Sequence, residues 1–175
     1  MLLFSASWKT SYAAHLGKYL FSILSLFFLI DIVQAQNNFS FRHITSADGL
    51  TSNNTGKIIQ DSRGFLWIGT QDGLNMYDGQ TIKQYYLSDY VPSQANSNTV
   101  SGLAEDADHN ILLAAKAGVI KFSWETKQFS VAYKNSFTGF GNLAPDLFVD
   151  AEKNIWVNER VRIRKFDPHF HLLYT

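Results

Sequence analysis

Short segments rich in Ile, Trp, Phe, Tyr and Thr alternate along this chain with small polar spacers. In the clearest stretch, Gly56 to Gln60, Phe65 to Thr70, Leu74 to Tyr77 and Thr81 to Tyr86 are separated by Asp-Ser-Arg-Gly, Gln-Asp-Gly and Asp-Gly-Gln. Glycine accepts positive φ without a Cβ clash and aspartate can hydrogen-bond the turn backbone, so each spacer predicts a tight hairpin turn. Four strands joined in this way predict one antiparallel sheet. No window after the N-terminal segment carries a helical apolar period.

The same pattern is written three times. Asp61-Ser-Arg-Gly-Phe-Leu-Trp67 and the residues after it, up to Tyr77, return as Asp106 to Phe122 and as Asp150 to Phe166. The copies start 45 and then 44 residues apart (106−61 and 150−106). A four-stranded unit at this period is the signature of a propeller blade, and a single unit cannot bury its apolar faces alone. Copies two and three have diverged: Leu112 stands where copy one has Trp67, and Arg162 where it has Gly73. The expected fold is all-β, a partial β-propeller of about three four-stranded blades, with repeats at about 46–89, 90–134 and 135–175.

Phe39 to Ile44, shifted forward by one period, falls on the outermost strand of the other copies. It is therefore expected to be an orphan N-terminal strand of the kind that completes a last blade and removes a sheet edge. His171 to Thr175 stops inside the third outer strand, and three blades fall short of a closed ring, so the reading expects a piece of a longer protein. Residues 1–35 read as a signal peptide, with Lys9 and Lys18 flanking the start, an apolar run from Tyr19 to Ile30, and Val33-Gln34-Ala35 offering small residues at a cleavage site. The run is shorter than the roughly 20 residues a membrane span needs. The mature domain would then cover 36–175, beginning at Gln36.

Charge and chemistry narrow the function only by exclusion. Without Lys9, Lys18 and Asp31 the chain keeps 13 basic and 14 acidic residues (15−2 and 15−1), a balance that gives no reason to expect nucleic acid as a partner. There is no cysteine. His169 and His171, two apart and read as strand residues on one face, lack a third ligand at metal-like spacing, and no metal or cofactor is expected. His43 reads as a strand residue and His109 as a turn residue. No nucleophile elbow, zinc-helix motif or phosphate-binding glycine loop occurs, so no catalytic residue is named. Asp61, Asp106 and Asp150 are expected to accept amides of the following turn, and Trp67 and Trp156 to pack blade against blade. Asn53, Asn98 and Asn142, just ahead of the innermost strands, are expected either to cap a turn or to face a ligand.

Asp48-Gly-Leu-Thr-Ser-Asn-Asn54, Ile59 to Thr70 and Asp72-Gly-Leu-Asn-Met-Tyr-Asp78 together resemble the two-component regulator propeller repeat. Weaker forms survive as Leu103 to Phe122 and Leu147 to Asp167. The resemblance implies the periplasmic sensor region of a hybrid histidine kinase that responds to glycans. It implies as partners an oligosaccharide ligand and the remainder of the sensor chain, with a homodimer in full-length form. No phosphoacceptor or ATP-binding motif is present, so phosphotransfer is not expected of this chain itself. Two other classes stay open: a propeller enzyme, because Asp61 to Trp67 is weakly similar to the Asp-box turn of sialidases, and a structural interaction propeller. Ligand contact is expected on the loops that enter the innermost strands and those joining strands two and three, which share one face. On them Asn54, Gln71, Asp72 and Arg160 are the ligand-binding candidates. Arg160, Arg162 and Arg164 alternate, and so would favour an acidic sugar.

Overall fold

The computed structural model describes Lys18, Tyr19, Phe21 and residues 40–92, 97–134, 145–159 and 162–175. The chain divides into two compact units, residues 1–42 and 43–175. In the first, Lys18, Tyr19 and Phe21 are helical and exposed. The rest of the signal-peptide reading, including the cleavage point, lies outside the described residues.

The second unit holds three four-stranded antiparallel sheets, each with its strands in sequence order. The first contains β1 (Thr55–Gln60), β2 (Leu66–Thr70), β3 (Gly73–Tyr77) and β4 (Ile82–Tyr85). The second contains β5 (Val100–Glu105), β6 (Ile111–Ala115), β7 (Gly118–Phe122) and β8 (Phe129–Lys134). The third contains β9 (Asp146–Val149), β10 (Ile155–Asn158), β11 (Ile163–Phe166) and β12 (Leu172–Tyr174). Strand β1 packs beside β5, and β5 beside β9, so the sheets meet along their first strands as propeller blades do. The strands expected for copy one form within a residue or two of their expected limits.

Two expectations fail. Residues 40–45, which include His43, form no strand. Each of these three sheets has its own outer strand, β4, β8 or β12, and the last blade that the segment was expected to complete is not among them. His169 and His171 lie in the turn before β12 rather than in a strand, where Asp167 Oδ1 accepts both of their amides and Phe170 takes φ 65°. The outer strand of blade 1 also ends earlier than read, because Leu87–Tyr90 is one helical turn whose first residue is fully buried.

Side chains alternate across a strand, so the middle blade must bury both faces. In β6, Ile111, Leu113 and Ala115 join the layer shared with blade 1, while Leu112 and Ala114 join the layer shared with blade 3. All five residues are buried, which explains why copy two reads as a continuous apolar run there. Trp67 sits at the centre of the first layer, fully buried, with its ring centroid 5.3 Å from Phe122 and 6.1 Å from Tyr85. The blade-packing role expected for Trp67 is therefore what the fold shows. Trp156, at the equivalent position of blade 3, is only half-buried and stacks on Phe148 at 5.8 Å.

The turns between first and second strands are built alike. Asp61 Oδ1 accepts the amides of Arg63 and Phe65, Asp106 Oδ1 those of Asp108 and Asn110, and Asp150 Oδ1 that of Asn154. The equivalent left-handed position is Gly64 (φ 91°), His109 (φ 62°) and Lys153 (φ 67°). The second carboxylate oxygen is spent differently in each copy. In blade 1 it accepts the Trp67 indole at 2.7 Å, and in blade 2, which has no tryptophan there, it accepts Asn110 Nδ2 at 3.1 Å. In blade 3 it accepts both Trp156 Nε1 at 2.8 Å and Asn154 Nδ2 at 3.2 Å. Partial burial pushes the Asp150 carboxyl up, but the indole, the Asn154 amides and nearby Lys165 outweigh it and hold the group down at about 2.

Other turn carboxylates are depressed as well. Asp78 is lowered mainly by the Thr81 amide. Asp167 is pushed up by desolvation and pulled down further by His171 and His169. A carboxyl whose folded pKa is depressed stabilises the fold above its unfolded pKa, and that contribution is lost as pH falls through the folded value. The melting temperature is therefore expected to hold between about pH 7 and 5 and to fall between about pH 4.5 and 2, measured by circular dichroism at constant ionic strength. A melting temperature unchanged down to about pH 3 would contradict these bonds.

Candidate functional site

The face that carries the loops ahead of the first strands is held together by side-chain caps. Asn53 Oδ1 accepts the Ser46 amide at 2.7 Å, and its counterpart Asn98 Oδ1 accepts the Ser88 amide at 3.0 Å. These two asparagines are caps, whereas Asn142 lies outside the described residues. A second device pins the first loop to its blade. Asn75, fully buried, accepts the Thr51 amide at 2.9 Å and donates to Thr51 Oγ1 at 2.8 Å, and that hydroxyl also meets Thr70 Oγ1 at 2.8 Å. The sequence reading missed Asn75. Its signal was a polar residue inside an apolar strand, at the position where copy two has Ile120.

Three of the four expected ligand residues meet on this face. The Gln71 amide donates to Asn54 O at 3.0 Å, which joins the first loop to the β2–β3 hairpin. Asp72 Oδ1 accepts Asn98 Nδ2 at 3.2 Å, and Gln71 O accepts Thr99 Oγ1 at 3.0 Å, so both residues reach across to the next blade. Asn54, Gln71 and Asp72 are all exposed. Arg160 lies outside the described residues. Of its two alternating neighbours, Arg162 Nε lies 3.1 Å and Arg164 Nε 3.2 Å from Glu159 Oε2. That carboxylate is buried and also accepts the Tyr133 hydroxyl at 2.6 Å. The two guanidiniums do share one side, but they converge on an internal carboxylate rather than standing free for an acidic sugar.

One cluster has the residue types of an acyl-transfer triad. Ser62 Oγ donates to Glu105 Oε1 at 2.5 Å, and His109 Nδ1 lies 2.9 Å from the hydroxyl and 3.0 Å from the carboxylate. A triad needs the two ring nitrogens to face hydroxyl and carboxylate separately, so that the imidazole can take the hydroxyl proton while the acid orients it. Here one nitrogen faces both, and the hydroxyl is spent on the acid. The cluster works as a clasp between blades, extended by Arg63 Nη1 donating to His109 O at 3.0 Å. Partial burial pushes Glu105 up, but Ser62 and His109 more than offset this and leave its carboxyl lowered.

Comparison with known proteins agrees with the architecture. The two component regulator propeller family matches residues 49–72. A histidine kinase, P4, of Formosa agariphila is 47% identical over 66 residues, which is 37% of this chain and 5% of the kinase. Among solved structures, the extracellular domain of a hybrid two component system of B. thetaiotaomicron superposes with a TM-score of 0.62 at 25% identity, over 77% of this chain and 20% of that domain. The chain thus spans about a twentieth of the kinase and a fifth of the extracellular domain. The chain therefore carries a two component regulator propeller repeat at residues 49–72, within three four-stranded blades of a build similar to that extracellular domain.

Proposed function

We propose that this chain is the ligand-sensing part of an exported two-component sensor, carried by an N-terminal signal peptide to the periplasm, and that it responds to a glycan. The observation that carries the reading is the polar seam on the loop face: Asn54, Gln71 and Asp72 are exposed, and the last two are tied to Thr99 and Asn98 of the neighbouring blade. A ligand that competes for those bonds changes how two blades meet, and that is a local event a sensor can transmit. The kinship of the relatives supports the same class, since one is a histidine kinase and the other an extracellular domain of a hybrid system. A binding role also suits the repeated carboxylates, which are spent on turn amides and indoles rather than presented to a substrate.

The test is titration calorimetry of the full-length protein with neutral and uronate-containing oligosaccharides. Losing a hydrogen bond to a charged group costs about 1.5–3 kcal/mol. Asp72→Ala is therefore expected to weaken binding by about 10-fold or more, as is Arg160→Ala, with little change in melting temperature. Unchanged affinity in both variants would remove this face as the site.

A further inference from the structure

The opposite end of the blades, where the β1–β2 and β7–β8 turns lie, carries a cleft of about 600 Å³ between blades 1 and 2. This is within the usual size of small-molecule sites. Its wall is the half-buried Trp124, and three cations surround it: Arg63, Lys121 and Lys127. Lys127 Nζ lies 3.6 Å and Arg63 Cζ 4.8 Å from the centroid of that ring. Among the described residues, none of the three cations has a carboxylate within ion-pairing distance, although Asp108 and Glu125 line the same cleft. Loss of solvent, together with the charges of Arg63 and Lys83, holds the Lys127 ammonium below the ordinary lysine value. The cations are thus gathered near each other without a direct ion pair to the two carboxylates of the cleft.

A second observation points the same way. The Trp124 indole nitrogen is closed off from solvent and has no acceptor, alone in this respect among the described side chains. An unpaired buried donor costs about 1–3 kcal/mol. The rest of the ring is fixed. Phe65 stacks on it at 5.4 Å, and Trp67 and Phe122 meet it edge-on at 5.9 and 5.5 Å. The wall is therefore an aromatic anchored in the inter-blade core, with the charged groups arranged around it.

We infer that this cleft is a binding site for a small polyhydroxylated anion, with Arg63, Lys121 and Lys127 holding its carboxylate, sulfate or phosphate group against Trp124. Asp108 and Glu125 accept hydroxyls of the ligand body and disfavour a bare dianion. Arg63 supplies a planar fork that matches an oxyanion bidentately, and the lysines act as point charges. Because Arg63 also holds the turn of blade 2 through His109 O, occupancy of the cleft bears on the same blade contact as the loop face at the other end.

The site can be tested on the full chain by following indole N–H resonances, with Trp124→Phe identifying the one that belongs to the cleft. The probes are glucuronate, glucose 6-sulfate and glucose 6-phosphate, with glucose and inorganic sulfate as controls. Saturable movement of the Trp124 resonance is expected with at least one anionic sugar and not with glucose, and the responding probe identifies the anion. Lys121→Gln and Lys127→Gln are each expected to weaken that response by about 10-fold with little change in melting temperature, since neither lysine is ion-paired among the described residues and the exposed contact of Lys127 with the Trp124 ring is weak. An equal response to glucose or to inorganic sulfate alone would overturn the assignment, as would absence of any saturable shift or affinity unchanged in both lysine variants.

Discussion

Trp67→Ala is expected to destabilise the chain by about 3–5 kcal/mol, the range for truncating a buried tryptophan. The side chain is fully buried between blades 1 and 2 and touches Tyr85, Phe122 and Trp124 through its ring. Such layers are where the blades bury apolar surface against each other, and the described residues form two, one on each side of blade 2. The substitution also removes the donor to Asp61 Oδ2, which then faces a cavity with a carboxylate oxygen unpaired. Since domains are typically stable by about 5–15 kcal/mol, a loss of this size removes a large part of the total. Urea unfolding followed by tyrosine and far-ultraviolet signals is the measurement. Trp67→Phe keeps most of the ring volume and is expected to fall between wild type and Ala, so a result is readable even if the Ala variant does not fold. Trp156→Ala, at the half-buried equivalent in blade 3, is expected to cost less than Trp67→Ala. Equal losses at the two sites, or a loss below about 1 kcal/mol at Trp67, would contradict the layer argument.

The second large effect is expected from a substitution that the chain's own repeat would recommend. Blade 2 has Ala114 where blade 1 has Gly69. Yet Gly69→Ala is expected to destabilise by about 1–3 kcal/mol, the cost of overpacking. A Cβ at Gly69 would lie 2.8 Å from Val100 Cγ1 and 2.9 Å from Val100 O, both on the innermost strand of blade 2. One obstacle is a backbone carbonyl and the other a β-branched side chain with little rotamer freedom, so relief requires β2 of blade 1 and β5 of blade 2 to part. Differential scanning calorimetry of the single variant decides the matter. A melting temperature equal to or above that of wild type would mean that blades 1 and 2 do not approach as closely as they do here.

Much of the architecture could be read in advance because it is written locally and three times. Asp61, Asp106 and Asp150 recur with the turn they close, and their amide bonds were expected from spacing alone. The capping of Asn53 and Asn98 was one of two readings, and the bond each makes decides for it. The candidate face was legible in the same way: once the blade is known, Asn54, Gln71 and Asp72 fall on neighbouring loops. Where residues depend on partners about one repeat away, the pattern was silent. Arg162 and Arg164 alternate in sequence as though free, but Glu159 claims both, and that acid is itself held by the Tyr133 hydroxyl of the preceding blade. The Ser62, Glu105 and His109 clasp and the Trp124 cleft draw on turns of two different blades, so neither forms a motif along the chain.

By itself, then, the sequence determined the strand count, the turns, the antiparallel pairing within each blade and the side of the blade on which the loops gather. Those properties follow from alternation and from turn residues that accept positive φ, which act over fewer than about a dozen residues, and from a period of 44–45 residues that repeats them. Only the tertiary structure decided that Ser62 joins Glu105 and His109, how near β2 of blade 1 comes to β5 of blade 2 at Gly69, and that Arg63 meets Trp124 in one cleft. Each of those outcomes depends on groups brought together across a blade boundary, where distance and burial select the partner and a one-dimensional pattern carries neither quantity.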